Sequence, residues 1–397
     1  MLKLLRAVGL LLVAAVLALG TAACGSDDDS SSQGQNAAQE GPNAELKGEI
    51  TIGAVLPLTG ASATIGKDQQ RGIELAVKKI NAGEGVLGKR IAVKVEDSEG
   101  ASASALNAAR KLVSVDKVPV VIGEYSSGNT IPVGEYLQRQ KVIHINPGSS
   151  SPDIAKIGNY SFSTIGLDTI AGKFTAERLA QAGYKTAAFL APNNAYGSGV
   201  LEYTKKAFED AGGKVVEEVL YTEGRSDYRQ ELQRIKRANA DVVIYSAYGT
   251  EAATINKQAF ELGMDAKKFF AIYLTMCTAD ADEQAVEGQQ GMDVNYIGPG
   301  GEDYQQAYQE EYGEGFRTSF SGYTYDAVMM VAQAINEAGS ADPDKIRDAL
   351  AEMTSFEGVT GTIAFDEDGQ RKDQPYLLAV MKDGKVEQED EIVGPGA

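Results

Sequence analysis

Two serine-rich turns hold the residues of this chain best suited to grip a ligand. Tyr125-Ser126-Ser127-Gly128-Asn129-Thr130 follows the apolar run Val118–Ile122, and Asn146-Pro147-Gly148-Ser149-Ser150-Ser151 follows the next apolar run. A third stretch, Leu56-Pro57-Leu58-Thr59-Gly60, closes the first apolar run of the folded region. Glycine lets a ligand approach the backbone, exposed N–H groups at a helix start favour an anion, and serine hydroxyls donate to it as well. The same residues are good helix N-caps. One such turn reads as capping. Two on successive strands, both rich in serine, read as a small-anion site.

Catalytic signatures are scarce. The chain has no G-x-S-x-G elbow, phosphate-binding P-loop, dinucleotide fingerprint or histidine–cysteine metal cluster. The single histidine, His144, lies inside the apolar run Val142–Ile145 with no nucleophile paired to it, and reads as structural. Cys277 reads as a small buried apolar residue, a reactive thiol being the alternative. Phe365-Asp366-Glu367-Asp368-Gly369 has oxygen-rich side chains but lacks the full ligand spacing of a calcium loop, so a hairpin turn is the better reading. No enzyme activity, cofactor or metal is expected.

The elements around these turns alternate in type. Ile50–Leu56, Ile91–Glu96, Val118–Ile122 and Lys141–Asn146 read as strands, separated by helical stretches at Lys67–Ile80, Ala103–Val115 and Ile131–Gln140. The rhythm restarts after Phe162, with helices at Ile170–Ala182, Ser198–Ala211, Tyr228–Ala238 and Ala252–Leu262. Strands are expected between and after them at Thr186–Ala191, Lys214–Tyr221, Asp241–Ser246 and Lys268–Leu274. A long helix, Tyr325–Ala338, and a strand, Leu377–Met381, come later. Such alternation implies parallel sheets covered by helices on both faces, in two α/β units of similar size.

The first residues read as an export signal. Lys3 and Arg6 precede an apolar stretch from Ala7 to Leu19, and small residues then lead to Cys24. The run is shorter than the roughly 20 residues a membrane span needs. Thr21-Ala22-Ala23-Cys24 resembles the bacterial lipoprotein box, which implies cleavage before Cys24 and acylation of its sulfur. A plain secretory signal with an incidental cysteine is the alternative. Gly25 to Asn43 offers almost nothing to bury and reads as a tether. The formal net charge of −19 argues against nucleic acid or anionic lipid as partners. About 350 residues remain to fold, enough for two cores.

Several motifs, in order and spacing, resemble one family. They are Ile52-Gly53-Ala54-Val55-Leu56-Pro57-Leu58-Thr59-Gly60, the helix from Gly66 to Ala76, and the turn from Ile80 to Lys89. Val121-Ile122-Gly123 with Ser126-Ser127, Asn194-Ala195-Tyr196-Gly197-Ser198-Gly199, and Tyr325-Asp326-Ala327 complete the set. Over these the chain resembles the substrate-binding proteins of branched-chain amino acid ABC transporters, the leucine/isoleucine/valine-binding type. The resemblance implies an α/β fold of two doubly wound parallel-sheet lobes joined by three hinge crossovers, the type I periplasmic binding protein. On that basis residues 1–23 are the signal, 24–46 the lipidated cysteine and tether, 47–167 with 298–375 the first lobe, and 168–297 with 376–397 the second. The crossovers are expected near Thr164–Asp168, Tyr296–Gly300 and Gln374–Leu377.

The resemblance also assigns ligand contacts. Ser127 matches a serine that grips the ligand's carboxylate, Gly148 a residue whose carbonyl accepts from the ammonium, and Ser150 a position that gives both N–H and hydroxyl. Tyr196 and Tyr248 match two tyrosines that the second lobe brings down on closure. Two positions depart from the pattern. Leu274 stands where the family has a glutamate that neutralises the ammonium, and Ile65 where it has an aromatic residue. Burying an ammonium without an anionic partner costs several kcal/mol. Either another acid, with Glu124 and Glu251 as candidates, supplies the charge, or the ligand carries no ammonium. The partners implied are a small amino-acid-like solute, an ABC permease and, through the lipid, the outer face of the cytoplasmic membrane, with the protein a monomer. The alternatives are the same fold binding a non-amino-acid carboxylate, amide or urea-like solute, or signalling its ligand to a membrane receptor.

Overall fold

The computed structural model describes residues 46–298 and 300–395. The expected signal, Cys24 and the expected tether up to residue 45 lie outside the described residues. The first half of the fold runs β1 (Glu49–Leu56), α1 (Ala63–Ala82), β2 (Arg90–Asp97), α2 (Ser102–Ser114), β3 (Val120–Ile122), α3 (Ser127–Gln140), β4 (Ile143–Asn146) and β5 (Ser161–Ser163). These five strands form one parallel sheet in the order β2-β1-β3-β4-β5. Its inner strands β3 and β4 are buried along their whole length, which is why they read as continuous apolar runs.

The second half runs α4 (Asp168–Gln181), β6 (Thr186–Pro192), α5 (Ala195–Asp210), β7 (Lys214–Tyr221), α6 (Arg229–Ala238), β8 (Val242–Tyr245) and α7 (Gly249–Glu261). It continues through β9 (Phe269–Ile272), α8 (Leu274–Thr278), α9 (Glu283–Val286) and β10 (Gln290–Val294). The chain then returns to the first half as α10 (Glu302–Tyr312), α11 (Ser321–Ala338), α12 (Pro343–Glu352), β11 (Phe356–Gly358) and β12 (Gly361–Ile363). There α11 packs along α1. Finally β13 (Tyr376–Lys382) and β14 (Lys385–Glu389) rejoin the second sheet, whose order is β14-β13-β10-β9-β8-β6-β7. Strands β6 to β10 are parallel, while β13 and β14 add antiparallel to one edge.

The chain therefore passes between the sheets three times, after β5, after β10 and before β13. The buried Arg371 guanidinium ties two of these passages together. It donates to the carbonyls of Thr164 at 2.8 Å and Thr360 at 2.7 Å. Nearby, the Gln374 side-chain carbonyl accepts from the Gly166 N–H at 2.6 Å.

Both sheets place their first strand inside the second and third. Strand order therefore reverses between β1 and β3 in one and between β6 and β8 in the other. In open α/β sheets the crevice outside the carboxyl ends of the strands at such a reversal is where ligands bind. The two reversals bring the 123–127 turn together with the ends of β6 and β8.

Most expected elements are present with shifted ends, and two shifts matter for the site. Helix α3 starts at Ser127 rather than Ile131, because the Asn129 and Thr130 N–H groups already bond to the Ser126 carbonyl at 2.9 and 2.8 Å. The strand expected at Lys268–Leu274 is shorter and stops at Ile272. Tyr273 adopts a left-handed backbone, φ 62°, that turns the chain out of the sheet, so Leu274 opens α8 instead. The Phe365–Gly369 stretch is a turn, closed by an antiparallel bridge between Phe365 and Arg371.

His144 is wholly buried on β4. One ring nitrogen bonds the Gly123 carbonyl at 2.6 Å and the other the Ser161 hydroxyl at 2.8 Å. Burial drives its pKa down to about 4, against the pull of the Gly123 carbonyl. The unfolded chain therefore takes up this proton first, near pH 6.5, and stability falls with pH until the folded protein is protonated too. Between pH 6.5 and 4 the wild type should lose about 3 kcal/mol relative to His144→Gln, read from urea midpoints at several pH values. Parallel pH profiles for the two proteins would contradict the assignment.

Candidate functional site

The two serine turns are built around side chains that never reach solvent. Asn146, the last residue of β4, accepts from the N–H groups of Gly148 and Ser149 at 3.2 and 2.8 Å and donates to the Ser149 carbonyl at 2.7 Å. This folds residues 147–149 over the strand end. The Ser149 hydroxyl donates to the Tyr125 carbonyl at 2.8 Å and meets the Thr130 hydroxyl at 2.5 Å. The Ser127 hydroxyl accepts from the Ser151 N–H at 3.3 Å. Ser149 is thus occupied in joining the turns, while Ser127, Gly148 and Ser150 face a cavity.

Tyrosines from the second half close that cavity. Tyr196 lies in the first turn of α5, whose N-cap Asn194 accepts from the Gly197 N–H at 2.9 Å. The Tyr196 hydroxyl meets the Ser246 hydroxyl at 2.6 Å. Tyr248 follows β8; its hydroxyl donates to Glu223 and accepts from the Asn194 amide at 2.7 Å. Both tyrosines line the cavity beside Ser127, Gly148 and Ser150. Five of the six residues expected to contact ligand therefore meet in one place.

Leu274 does not join them. It is fully buried but absent from the lining, and its Cβ packs against Gly291 of β10. The left-handed turn at Tyr273 sends Leu274 back toward the sheet and presents Tyr273 and Met276 to the cavity instead. The buried Asp293 carboxylate fixes this turn by accepting from the Thr275 N–H and hydroxyl, both at 2.8 Å. Tyr125 and Phe320 complete the wall, packed edge to face with ring centroids 5.0 Å apart. Tyr273, Met276 and Phe320 were not foreseen, whereas Tyr125 and Ser126, also in the lining, stand in the first serine turn.

Neither candidate acid reaches the cavity. Glu124 is buried beneath the first turn, accepting from the Ser98 hydroxyl at 2.6 Å and the Ser126 N–H at 2.8 Å. Glu251 accepts from the Gly224 N–H at the far side of Tyr248. Ile65 is a core residue outside the lining. The lining thus holds hydroxyls and aromatic faces and no charged side chain. Burial pushes the phenols of Tyr125, Tyr196, Tyr248 and Tyr273 well up, so all four stay neutral.

The halves are in direct contact around this site. The Tyr125 hydroxyl reaches Met276 Sδ at 2.8 Å, the Thr250 N–H donates to the Ala61 carbonyl at 3.0 Å, and the Thr64 hydroxyl donates to Asp280 at 2.8 Å. The space left for a water-sized sphere is about 10 Å³, enough for one water molecule. Anything larger enters only if the lining side chains or the halves move apart. A larger groove of about 850 Å³ opens between α8 and α10, but neither serine turn contributes to it.

No group of three or more histidine, cysteine or acidic side chains fit to hold a metal occurs among the described residues. Cys277 is fully buried and its thiol is pushed up to about 12 by burial, which leaves it unreactive at neutral pH.

A family model described as periplasmic binding protein matches residues 49–385. The leucine-, isoleucine-, valine-, threonine- and alanine-binding protein of Pseudomonas aeruginosa is 31% identical over 338 residues, 83% of this chain and 89% of its own length. Leu/Ile/Val-binding protein homolog 1 of Brucella suis is 29% identical, covering 85% of this chain and 91% of its own. Among solved structures, the leucine-binding protein LivK of Thermotoga maritima superposes with a TM-score of 0.78 at 25% identity, over 87% of this chain and 99% of its own. The branched-chain amino acid transporter substrate-binding protein LivJ of Streptococcus pneumoniae, in complex with isoleucine, gives 0.77 at 26% identity, over 85% and 98%. The chain belongs to the periplasmic binding protein family and has the type I fold of these leucine/isoleucine/valine-binding proteins.

The packing of Leu274 makes it a structural residue of the site. Leu274→Ala should lower the unfolding free energy by about 2–5 kcal/mol, measured by urea denaturation. A loss below about 1 kcal/mol would mean that the side chain is not held in the core as described.

Proposed function

We infer that, as a periplasmic binding protein, this chain captures a small amino-acid-like solute outside the cytoplasm and delivers it to an ABC permease. The observation that carries this reading is the meeting of Ser127, Gly148 and Ser150 with Tyr196 and Tyr248 around one cavity. On this reading the two sheets are the cores of two lobes, 47–167 with 298–375 and 168–297 with 376–397. The three passages serve as the hinge. The Ser127 hydroxyl and the free N–H groups opening α3 grip the ligand's carboxylate, and the Gly148 carbonyl and Ser150 face its α-substituent. Tyr196 and Tyr248 arrive with the second lobe, so affinity for the closed form drives closure. The closed pair of lobes is the surface a permease reads. Export and acylation at Cys24 hold the protein, a monomer, at the outer face of the cytoplasmic membrane. Binding relatives named for leucine, isoleucine and valine support an aliphatic ligand.

One observation favours a second reading. Because no charged side chain lines the cavity, the ligand class extends to small carboxylates or amides without an ammonium.

Thermal unfolding of the soluble form beginning after Cys24, screened against the amino acids and matched carboxylic acids and amides, separates the two. A ligand at a hundred times its dissociation constant adds about 2.7 kcal/mol. Stabilisation by aliphatic amino acids is the expected result. Stabilisation only by compounds lacking an ammonium would replace it with the second reading. Ser127→Ala should weaken the ligand found by about 1.5–3 kcal/mol in calorimetry, and an unchanged affinity would remove Ser127 from the site.

A further inference from the structure

We propose that Asp280 and the Arg317–Ser319 segment form a latch that holds the two halves closed over the ligand and sets how slowly it leaves. The proposal deepens the solute-capture reading above and rests on it. None of these residues lines the cavity, so the latch reaches the ligand only through closure.

The segment belongs to the first half and is held there from below. Asp68 of α1 is buried and accepts from the N–H groups of Arg317 at 2.9 Å and Thr318 at 2.7 Å. The same carboxylate accepts from the Thr318 hydroxyl at 3.0 Å and from the Tyr308 hydroxyl of α10 at 2.8 Å. Four donors on one buried carboxylate leave this stretch of backbone a single position. From that position the Arg317 side chain and the Ser319 N–H both reach the second half.

They grip α8 at its two ends. In the first turn, the Ser319 N–H donates to the Thr275 hydroxyl at 3.0 Å, and that hydroxyl donates to the buried Asp293 at 2.8 Å. At the other end, the Arg317 guanidinium donates to the carbonyl of Ala279, the C-cap of α8, and lies 3.4 Å from the Asp280 carboxylate. Thr64 of α1 donates to the same carboxylate at 2.8 Å. Asp280 of the second half therefore receives two groups of the first. Between the grips α8 carries Met276 into the cavity, and Phe320, directly after the segment, forms part of the wall. Closing the latch and completing the wall are one movement.

An exposed ion pair contributes little to stability. Here the Asp280 side chain is only 18% exposed and takes a hydroxyl donor as well as the guanidinium. The closed cavity holds one water, so a ligand leaves only after the halves part. Every bond of the latch breaks at that step, whichever ligand is inside. Capture starts from the open form, in which the latch is not yet made. Bonds present only in the closed form therefore slow escape and leave capture unchanged.

The test is stopped-flow tyrosine fluorescence with the tightest ligand found among the proteinogenic amino acids and matched carboxylic acids and amides. It compares the wild type, Asp280→Ala, Thr64→Val and the double variant. Dissociation should be about fivefold faster or more in Asp280→Ala, with association changed by less than about twofold. Thr64→Val should speed dissociation about threefold in the wild type and less than about 1.5-fold in Asp280→Ala, where its partner is gone. Should Asp280→Ala fail to fold, the two rates of Thr64→Val decide alone. Unchanged dissociation overturns the latch and leaves the proposed function standing. So does slower association at unchanged dissociation, because the residue then acts before closure. Equal effects of Thr64→Val in both backgrounds also overturn it, because the two side chains then act independently. A wild type that binds none of these solutes overturns the proposed function and the latch together.

Discussion

The site depends on the bonds that tie the 146–151 turn to the 123–127 turn. Ser149 joins the Tyr125 carbonyl and the Thr130 hydroxyl, and Ser127 accepts from the Ser151 N–H. Asn146 shapes one turn from below and Glu124 the other. Because these donors and acceptors are buried, each unmade bond would cost the full desolvation of its group. The two turns therefore hold one geometry, and the first-half contacts of the cavity are set before any ligand arrives.

The other half of the site follows from topology. Each sheet carries the same reversal of strand order, and the chain crosses between them three times. Facing the reversals toward each other places Tyr196 and Tyr248, at the ends of β6 and β8, opposite the serines after β3 and β4. Gly249 lets them come this close. Its backbone is left-handed, φ 59°, and a Cβ there would lie 1.9 Å from the Ala61 carbonyl oxygen of the first half. Arg371 and Gln374 anchor the passages, so the opening proposed above would part the faces of the halves rather than their connections.

Much of this was legible in the chain. Continuous apolar runs marked the buried strands, and serine turns at their ends marked the first-half contacts. The motif around Asn194–Gly199 placed Tyr196. What the sequence did not disclose was the behaviour of single backbone angles. Counting along the chain puts Leu274 at the position of a ligand-facing acid, but the left-handed Tyr273 rotates the following helix so that Tyr273 and Met276 face the cavity. Serine capping and serine binding were read as alternatives, and the turns combine the two placements. Ser149 and Ser151 serve the turn, Ser150 faces the cavity, and Ser127 does both, accepting from the Ser151 N–H while lining the cavity.

On the function proposed above, the binding site is complete only when the two halves meet at Gly249 and Ala61. Calorimetric titration of Gly249→Ala with the tightest ligand of the wild type tests this most directly, because residue 249 lies outside the cavity lining and its added methyl group meets the Ala61 carbonyl of the other half; the strain of alanine in the left-handed region is read separately, from the urea midpoint of the unliganded variant. The account predicts an affinity at least about tenfold weaker, the equivalent of losing one or more contacts of the second half. An affinity equal to that of the wild type would contradict it and leave the serine turns as a sufficient site on their own.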